Sequence, residues 1–255
     1  MIDVIGFTKS YDGFEAVKDL SFTVSPGEIL GLVGQNGAGK TTTLRAIAGI
    51  LDPNAGRLTV AGHDVRHQPV EAKRRLAYVP DTPHPFDLLT VAEHLRFTAL
   101  AYNVVAADPR AEMLLKELEL VEKRDELANT LSRGMQQKLA IACAFLHEPK
   151  ALLLDEPLTG LDPHGIRLMR ESIRRRAEAG AAILMSSHQL ELVERLCHRV
   201  LILHRGRTAA IGPLESIRAQ SGLSTSATLE EVFFAITETA GAGSAAPTAR
   251  DPLLP

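Results

Sequence analysis

Cysteine is scarce in this chain: Cys143 and Cys197 are the only two among 255 residues. Two thiols cannot build a disulfide framework for a chain this long, which points to a reduced, cytosolic protein. Long apolar runs are missing as well. The candidates, around Leu152–Leu154 and Ile183–Met185, have only strand length, far short of the roughly 18–20 apolar residues of a membrane-spanning helix. The opening MIDVIGF carries an early acid and no basic leader before an apolar run, so no secretory signal is expected. Neither charge sign is in excess: 28 Lys plus Arg stand against 31 Asp plus Glu, a formal net charge of −3. That balance argues against nucleic acid as a partner. What is present, 45% hydrophobic and 23% charged residues, is ordinary for a soluble globular chain that can bury an α/β core.

Short apolar or β-branched segments near Ile2–Thr8, Leu20–Val24, Ile29–Val33 and Arg57–Val60, separated by turn residues, predict strands in the N-terminal third. From about Pro83 to Pro149 the texture is helical, with Asp108-Pro109 read as a helix start and Leu114, Leu118 and Val121 at helical spacing. Beyond Ala151, strand and helix alternate: Ala151–Leu154, a helix face of Ile166, Met169 and Ile173, then Ala182–Ser186 and Val200–Leu203. Such alternation implies a parallel sheet covered by helices, with the helical middle inserted between its halves. The division expected is 1–82 and 150–220 for the core, 83–149 for the insertion, 221–239 for a C-terminal helix and 240–255 for a disordered tail. Arg174-Arg175-Arg176 reads as a solvated helix face, and His63 with His67 as a surface turn without a third metal ligand.

Gly34-Gln35-Asn36-Gly37-Ala38-Gly39-Lys40-Thr41 is a full G-x-x-x-x-G-K-[ST] pattern, entered by an apolar strand and followed by a helix expected over Thr42–Ile50. Glycines there let backbone N–H groups turn inward around phosphate oxygens, at the positive end of a helix dipole. Gly34, Asn36, Gly37, Ala38, Gly39, Lys40, Thr41 and Thr42 are the candidate nucleotide-binding set, with Lys40 reaching the β- and γ-phosphates and Thr41 ligating Mg²⁺. ATP and Mg²⁺ are therefore the expected cofactors. The dry strand Ala151–Leu154 ends in Asp155-Glu156. Asp155 is the candidate for the Mg²⁺ shell and Glu156 for the general base. Ser186-Ser187-His188 closes another strand, and His188 is the candidate γ-phosphate donor.

Leu131-Ser132-Arg133-Gly134-Met135-Gln136-Gln137, taken with the phosphate loop, Asp155-Glu156, Gly160-Leu161-Asp162 and His188, resembles the ATP-binding subunits of ABC transporters over roughly residues 1–215. The resemblance implies a P-loop NTPase core of RecA type with an N-terminal antiparallel β subdomain and an inserted helical subdomain. It implies a head-to-tail dimer, with itself or a close relative, in which Ser132 and Gly134 meet the ATP of the other subunit and Asp162 spans the interface. It also makes Tyr11 the aromatic on adenine, with Val17 beside it. Two departures stand out. Arg133 and Met135 replace a glycine and the glutamine of the usual Leu-Ser-Gly-Gly-Gln, and Asp81 replaces the glutamine usual after Tyr78-Val79-Pro80. Asp81 is accordingly a candidate Mg²⁺ ligand. Both departures, and Leu229–Phe234 as a closing helix, are similar to the ABC-2-type and Ecs-like exporter ATPases. That resemblance implies a separate membrane permease, docked near Pro83, Pro85, Phe86, Leu88 and Leu89, and a place on the inner face of the cell membrane. The alternative is a soluble ATPase of the same family acting on nucleic acid or ribosomes.

Overall fold

The computed structural model describes residues 1–224 and 226–242. The chain opens with β1 (Ile2–Tyr11) and β2 (Phe14–Val24), an antiparallel hairpin. Asp12 and Gly13 both take positive φ between them (47° and 84°), the conformation a two-residue hairpin turn of matching twist demands. This turn carries both strands further than their apolar cores predict. Then follow β3 (Ile29–Gly34), α1 (Lys40–Ile47), β4 (Ala55–Val60), β5 (His63–Asp64), α2 (Pro69–Arg74) and β6 (Leu76–Val79). The helical stretch holds α3 (Val91–Tyr102), α4 (Ala107–Glu117) and α5 (Arg133–Leu146). Strand and helix alternate again in β7 (Ala151–Asp155), α6 (Pro163–Glu178), β8 (Ala182–Ser186), α7 (Leu190–Leu196), β9 (Arg199–His204) and β10 (Arg207–Gly212), before α8 (Leu214–Gln220) and α9 (Leu229–Ala242).

Two sheets result. One is four-stranded and antiparallel, in the order β2-β1-β4-β5, and the other six-stranded, in the order β10-β9-β3-β8-β7-β6. In the larger sheet β9, β3, β8, β7 and β6 run parallel, and β10 adds an antiparallel edge. Strands β7 and β8 are buried on both faces, hence their unbroken apolar runs. Their side chains alternate between two cores. Leu152, Leu154, Ile183 and Met185 pack with the helical insertion, whereas Ala151, Leu153, Ala182 and Leu184 pack toward α1 and the antiparallel sheet. No helix among the described residues is long and apolar enough to cross a membrane. Burial raises both thiols, Cys143 to about 11.

Four expectations need correction. Helix α4 is capped by Ala106 in a left-handed conformation, so Asp108 lies inside its first turn, with Pro109, rather than at the cap. Helix α1 starts at Lys40, two residues early, because the phosphate loop itself supplies the N-cap at Gly39. The Arg174–Arg176 run is a solvated face only at Arg174 and Arg175, which are exposed, while Arg176 is half-buried. Arg175 and Arg176 both pair with Glu117 of α4, and the Arg176 guanidinium lies 4.3 Å from the Phe145 ring centroid. Burial alone pushes the Glu117 carboxyl up, but these cations and the Ser172 hydroxyl outweigh it and leave the pKa lowered. Finally, α9 continues through Ala242, so residues 240–242 are helical, and the rest of the expected tail lies outside the described residues.

The segment after Asp81 is tied down by a buried histidine. The Phe86 N–H donates to His94 Nε2 at 2.9 Å, which leaves Nδ1 carrying the proton and donating to the Thr90 carbonyl at 2.8 Å. Truncating the ring orphans both backbone groups, so His94→Ala should lower unfolding free energy by about 1–3 kcal/mol. Urea denaturation checks this; an unchanged midpoint and slope would show that water replaces the ring without loss.

Candidate active site

The phosphate loop joins the end of β3 to α1, and close backbone packing dictates its glycines. A Cβ on Gly34 would come within 2.6 Å of the Leu203 carbonyl oxygen. One on Gly39, already at φ +104°, would come within 2.8 Å of the Ala16 carbonyl oxygen. Gly37, at φ +80°, would meet nothing within 4 Å. Gln35, Asn36 and Gly37 are exposed, Ala38 is buried, Thr42 is half-buried and the Thr41 hydroxyl lies on an exposed residue at the helix start. Lys40 folds back over the loop, its Nζ donating to the Gly34 carbonyl at 2.8 Å. Burial pulls the Lys40 pKa down, and the carboxylates of Glu156 and Asp155 offset part of the fall. The end of β7 therefore faces the phosphate loop.

At that end the parallel register sets Asp155 beside Ser186 of β8. The Ser186 hydroxyl donates to Asp155 Oδ1 at 2.6 Å, and the Glu156 N–H donates to the same hydroxyl at 3.1 Å. Glu156 sits at φ +50°, uncommon for a residue with a side chain, and these bonds hold it there. The turn aims its carboxylate at His188: Oε2 accepts from the His188 N–H at 3.2 Å and meets Nδ1 at 2.8 Å. A carboxylate, an imidazole and an ammonium thus converge where three strands of one sheet end. A general acid–base reaction on a phosphorylated substrate can use such a set of groups.

The segment Leu131–Met135 enters α5, with Ser132 as its N-cap accepting from the Met135 N–H at 3.3 Å. A Cβ on Gly134 would approach the Gly160 carbonyl oxygen to 2.9 Å, so this segment lies directly on the Gly160–Asp162 turn. Comparison with known proteins places the arrangement. A family model described as ABC transporter matches residues 17–159. The ABC-type transporter ATP-binding protein EcsA of Bacillus subtilis (strain 168) is 38% identical over 93% of this chain and 97% of its own length. The Nod factor export ATP-binding protein I of Burkholderia pseudomallei (strain 1710b) is 40% identical over 87% of this chain and 74% of its own. A solved structure of an ATP-binding subunit of an ABC transporter superimposes with a TM-score of 0.89 at 38% identity, covering 93% of this chain and 99% of that one.

This chain belongs to the ABC transporter family. Within an ABC ATPase the remaining candidates fall as follows. Tyr11 ends β1, exposed, with Lys9 Nζ 5.2 Å from its ring centroid. Val17 is fully buried and backs the phosphate loop, since a Cβ on Gly39 would meet its Cγ2 at 2.9 Å. Asp162 caps α6, its Oδ1 accepting from the Gly165 N–H at 2.7 Å. Asp81 faces Arg133, with Oδ1 and Nη2 3.8 Å apart. Among the described residues no group of three or more His, Cys, Asp or Glu side chains forms a metal cage. Ser186 closes its strand in the sequence without a role there; register gives it one, under Asp155 and Glu156.

Proposed function

We propose that this ATP-binding, ATP-hydrolysing ABC subunit powers export through a separate membrane permease, as one half of a head-to-tail ATPase dimer. The observation that carries the reading is the Glu156–His188 contact at 2.8 Å beside a Lys40 that feels both Asp155 and Glu156. Gly34, Asn36, Gly37, Ala38, Gly39 and Thr42 wrap the phosphates, and Lys40 leaves the Gly34 carbonyl to pair with them. Thr41, Asp155 and Asp81 are the residues to hold Mg²⁺, and the open Gly37 side of the loop, with hard oxygen donors nearby, fits a metal–triphosphate. Bound there, Mg²⁺ supplies charge stabilisation to the phosphoryl group. Glu156 takes the proton of the attacking water. His188 turns Nδ1 to Glu156 Oε2 and leaves Nε2 for the γ-phosphate. Ser132 and Gly134 act on the other subunit's ATP, Asp162 lies at the interface and Tyr11 stacks on adenine.

The permease face is the segment after Asp81, where Phe86 and Leu88 are 58% and 81% exposed although the His94 and Phe97 rings brace Phe86. Residues 83–149 form the subdomain that carries it, residues 1–82 and 150–220 the ATP core, and the whole sits peripherally on the cytoplasmic face of the membrane. A shared site predicts that hydrolysis per chain rises with protein concentration at low concentration. Sedimentation and phosphate release over one dilution series test this. A rate proportional to concentration where only monomer sediments contradicts the dimer.

The metal assignment has its own test. Removing an anionic oxygen weakens the Mg²⁺ site, so Asp81→Gln should weaken the response to Mg²⁺ and move the midpoint of a titration at fixed ATP upward. Superimposable curves would leave Asp81 outside the metal shell.

A further inference from the structure

One buried hydroxyl lies between the two acids at the end of β7. Ser186 is fully buried and Asp155 nearly so, at 2% exposed. The last rung of the parallel β7–β8 pair sets these two residues side by side. The next backbone N–H, that of Glu156, donates both to the Ser186 carbonyl at 3.2 Å and to the Ser186 hydroxyl at 3.1 Å. These neighbours fix the direction of the hydroxyl. An N–H can only donate, so toward Glu156 the oxygen accepts, and its single proton is left for Asp155 Oδ1, 2.6 Å away. An ionised Asp155 takes that bond and keeps its other lone pairs for a cation. The same oxygen helps to hold Glu156 at φ +50°, the turn that aims its carboxylate at His188.

We infer that Ser186 is a positioning residue for both acids: its hydroxyl sets the Asp155 carboxylate assigned to Mg²⁺ and, through the backbone, the Glu156 carboxylate assigned to the attacking water. The inference rests on the roles given above to Asp155 and Glu156 and adds the group that orients them. A hydrogen bond from a buried hydroxyl to an anion is among the stronger ones, and it fixes direction as well as energy. Without the hydroxyl, the Glu156 N–H keeps its bond to the residue 186 carbonyl, so the strand pair stays closed. The Asp155 carboxylate is then free to turn, and the strained Glu156 backbone loses one of its two restraints.

Threonine and valine share a shape and differ in the hydroxyl, so Ser186→Thr and Ser186→Val add the same bulk and separate hydrogen bonding from packing. Equilibrium dialysis of ATP with and without Mg²⁺ reads the Asp155 arm without turnover. Ser186→Val should bind metal-free ATP as wild type does, because the phosphate loop and Lys40 are untouched, and should lose about tenfold of the tightening that Mg²⁺ brings. The kcat at saturating Mg-ATP, where the metal site is filled, reads the Glu156 arm and should fall by about tenfold or more. Ser186→Ala, which adds no bulk, should behave as Ser186→Val, and Ser186→Thr should recover most of both losses. A merely structural role would weaken ATP binding equally with and without Mg²⁺, with circular dichroism reporting any loss of fold. Equal values for the Thr and Val variants, equal weakening in both conditions, or an unchanged kcat without the hydroxyl overturns the inference. Asp155→Asn and Glu156→Gln in the same assays separate its failure from that of the roles it rests on. If Asp155→Asn keeps the full Mg²⁺ tightening, or Glu156→Gln the full kcat, those roles fall and the inference with them.

Discussion

Glu156→Gln is expected to slow ATP hydrolysis by roughly 10²-fold or more while leaving ATP binding intact. The amide keeps the volume and can still accept from His188, whose N–H and Nδ1 lie 3.2 and 2.8 Å from Oε2. The backbone bonds from Glu156 to Ser186 that hold its positive φ do not involve the side chain being changed. Only the capacity to take a proton is lost. The variant should therefore accumulate as an ATP-bound dimer, visible by sedimentation, while phosphate release falls. A rate equal to wild type would remove Glu156 from the general-base role and leave its strained backbone without a catalytic reason.

Lys40→Ala and Gly134→Asp should each abolish hydrolysis alone and restore it when mixed. Lys40 is buried against the loop it closes, and without its ammonium the phosphate charge is left unpaired, so nucleotide binding is lost. At Gly134 any Cβ meets the Gly160 carbonyl oxygen at 2.9 Å, and a carboxylate adds repulsion toward a phosphate across the interface. In a mixed dimer, the Gly134→Asp chain supplies an intact phosphate loop and the Lys40→Ala chain an intact Ser132–Gly134 segment. Random pairing then returns up to about a quarter of the wild-type rate. Mixtures as inactive as their components would mean that both segments serve the same chain's nucleotide.

Much of the fold and the candidate site was legible because its signals are local. A phosphate loop needs glycines and a lysine at set spacing between a strand and a helix, and backbone geometry over eight residues enforces this. The dry runs Ala151–Leu154 and Ala182–Ser186 announce strands buried on both faces, and an acid pair ending such a run announces a site. The parallel α/β class follows from the alternation of these elements. The family resemblance added the role of Leu131–Met135, for which no local chemistry argues strongly.

The sequence by itself thus determined which short segments carry a phosphate-binding pattern, which strands are buried and which acids end them. Only the tertiary structure decided what those side chains meet. Strand register placed Ser186 beneath Asp155 and set Asp81 level with Glu156. Packing of α4 on α6 drew Arg175 and Arg176 onto Glu117 and half-buried Arg176. Packing against Gly39 of the phosphate loop buried Val17 completely. The Asp81–Arg133 pair, 52 positions apart in the chain, arises from the same cause. Partners brought together by register and packing carry no periodicity or spacing in the sequence, because the distance between them along the chain is unrelated to the distance between them in space.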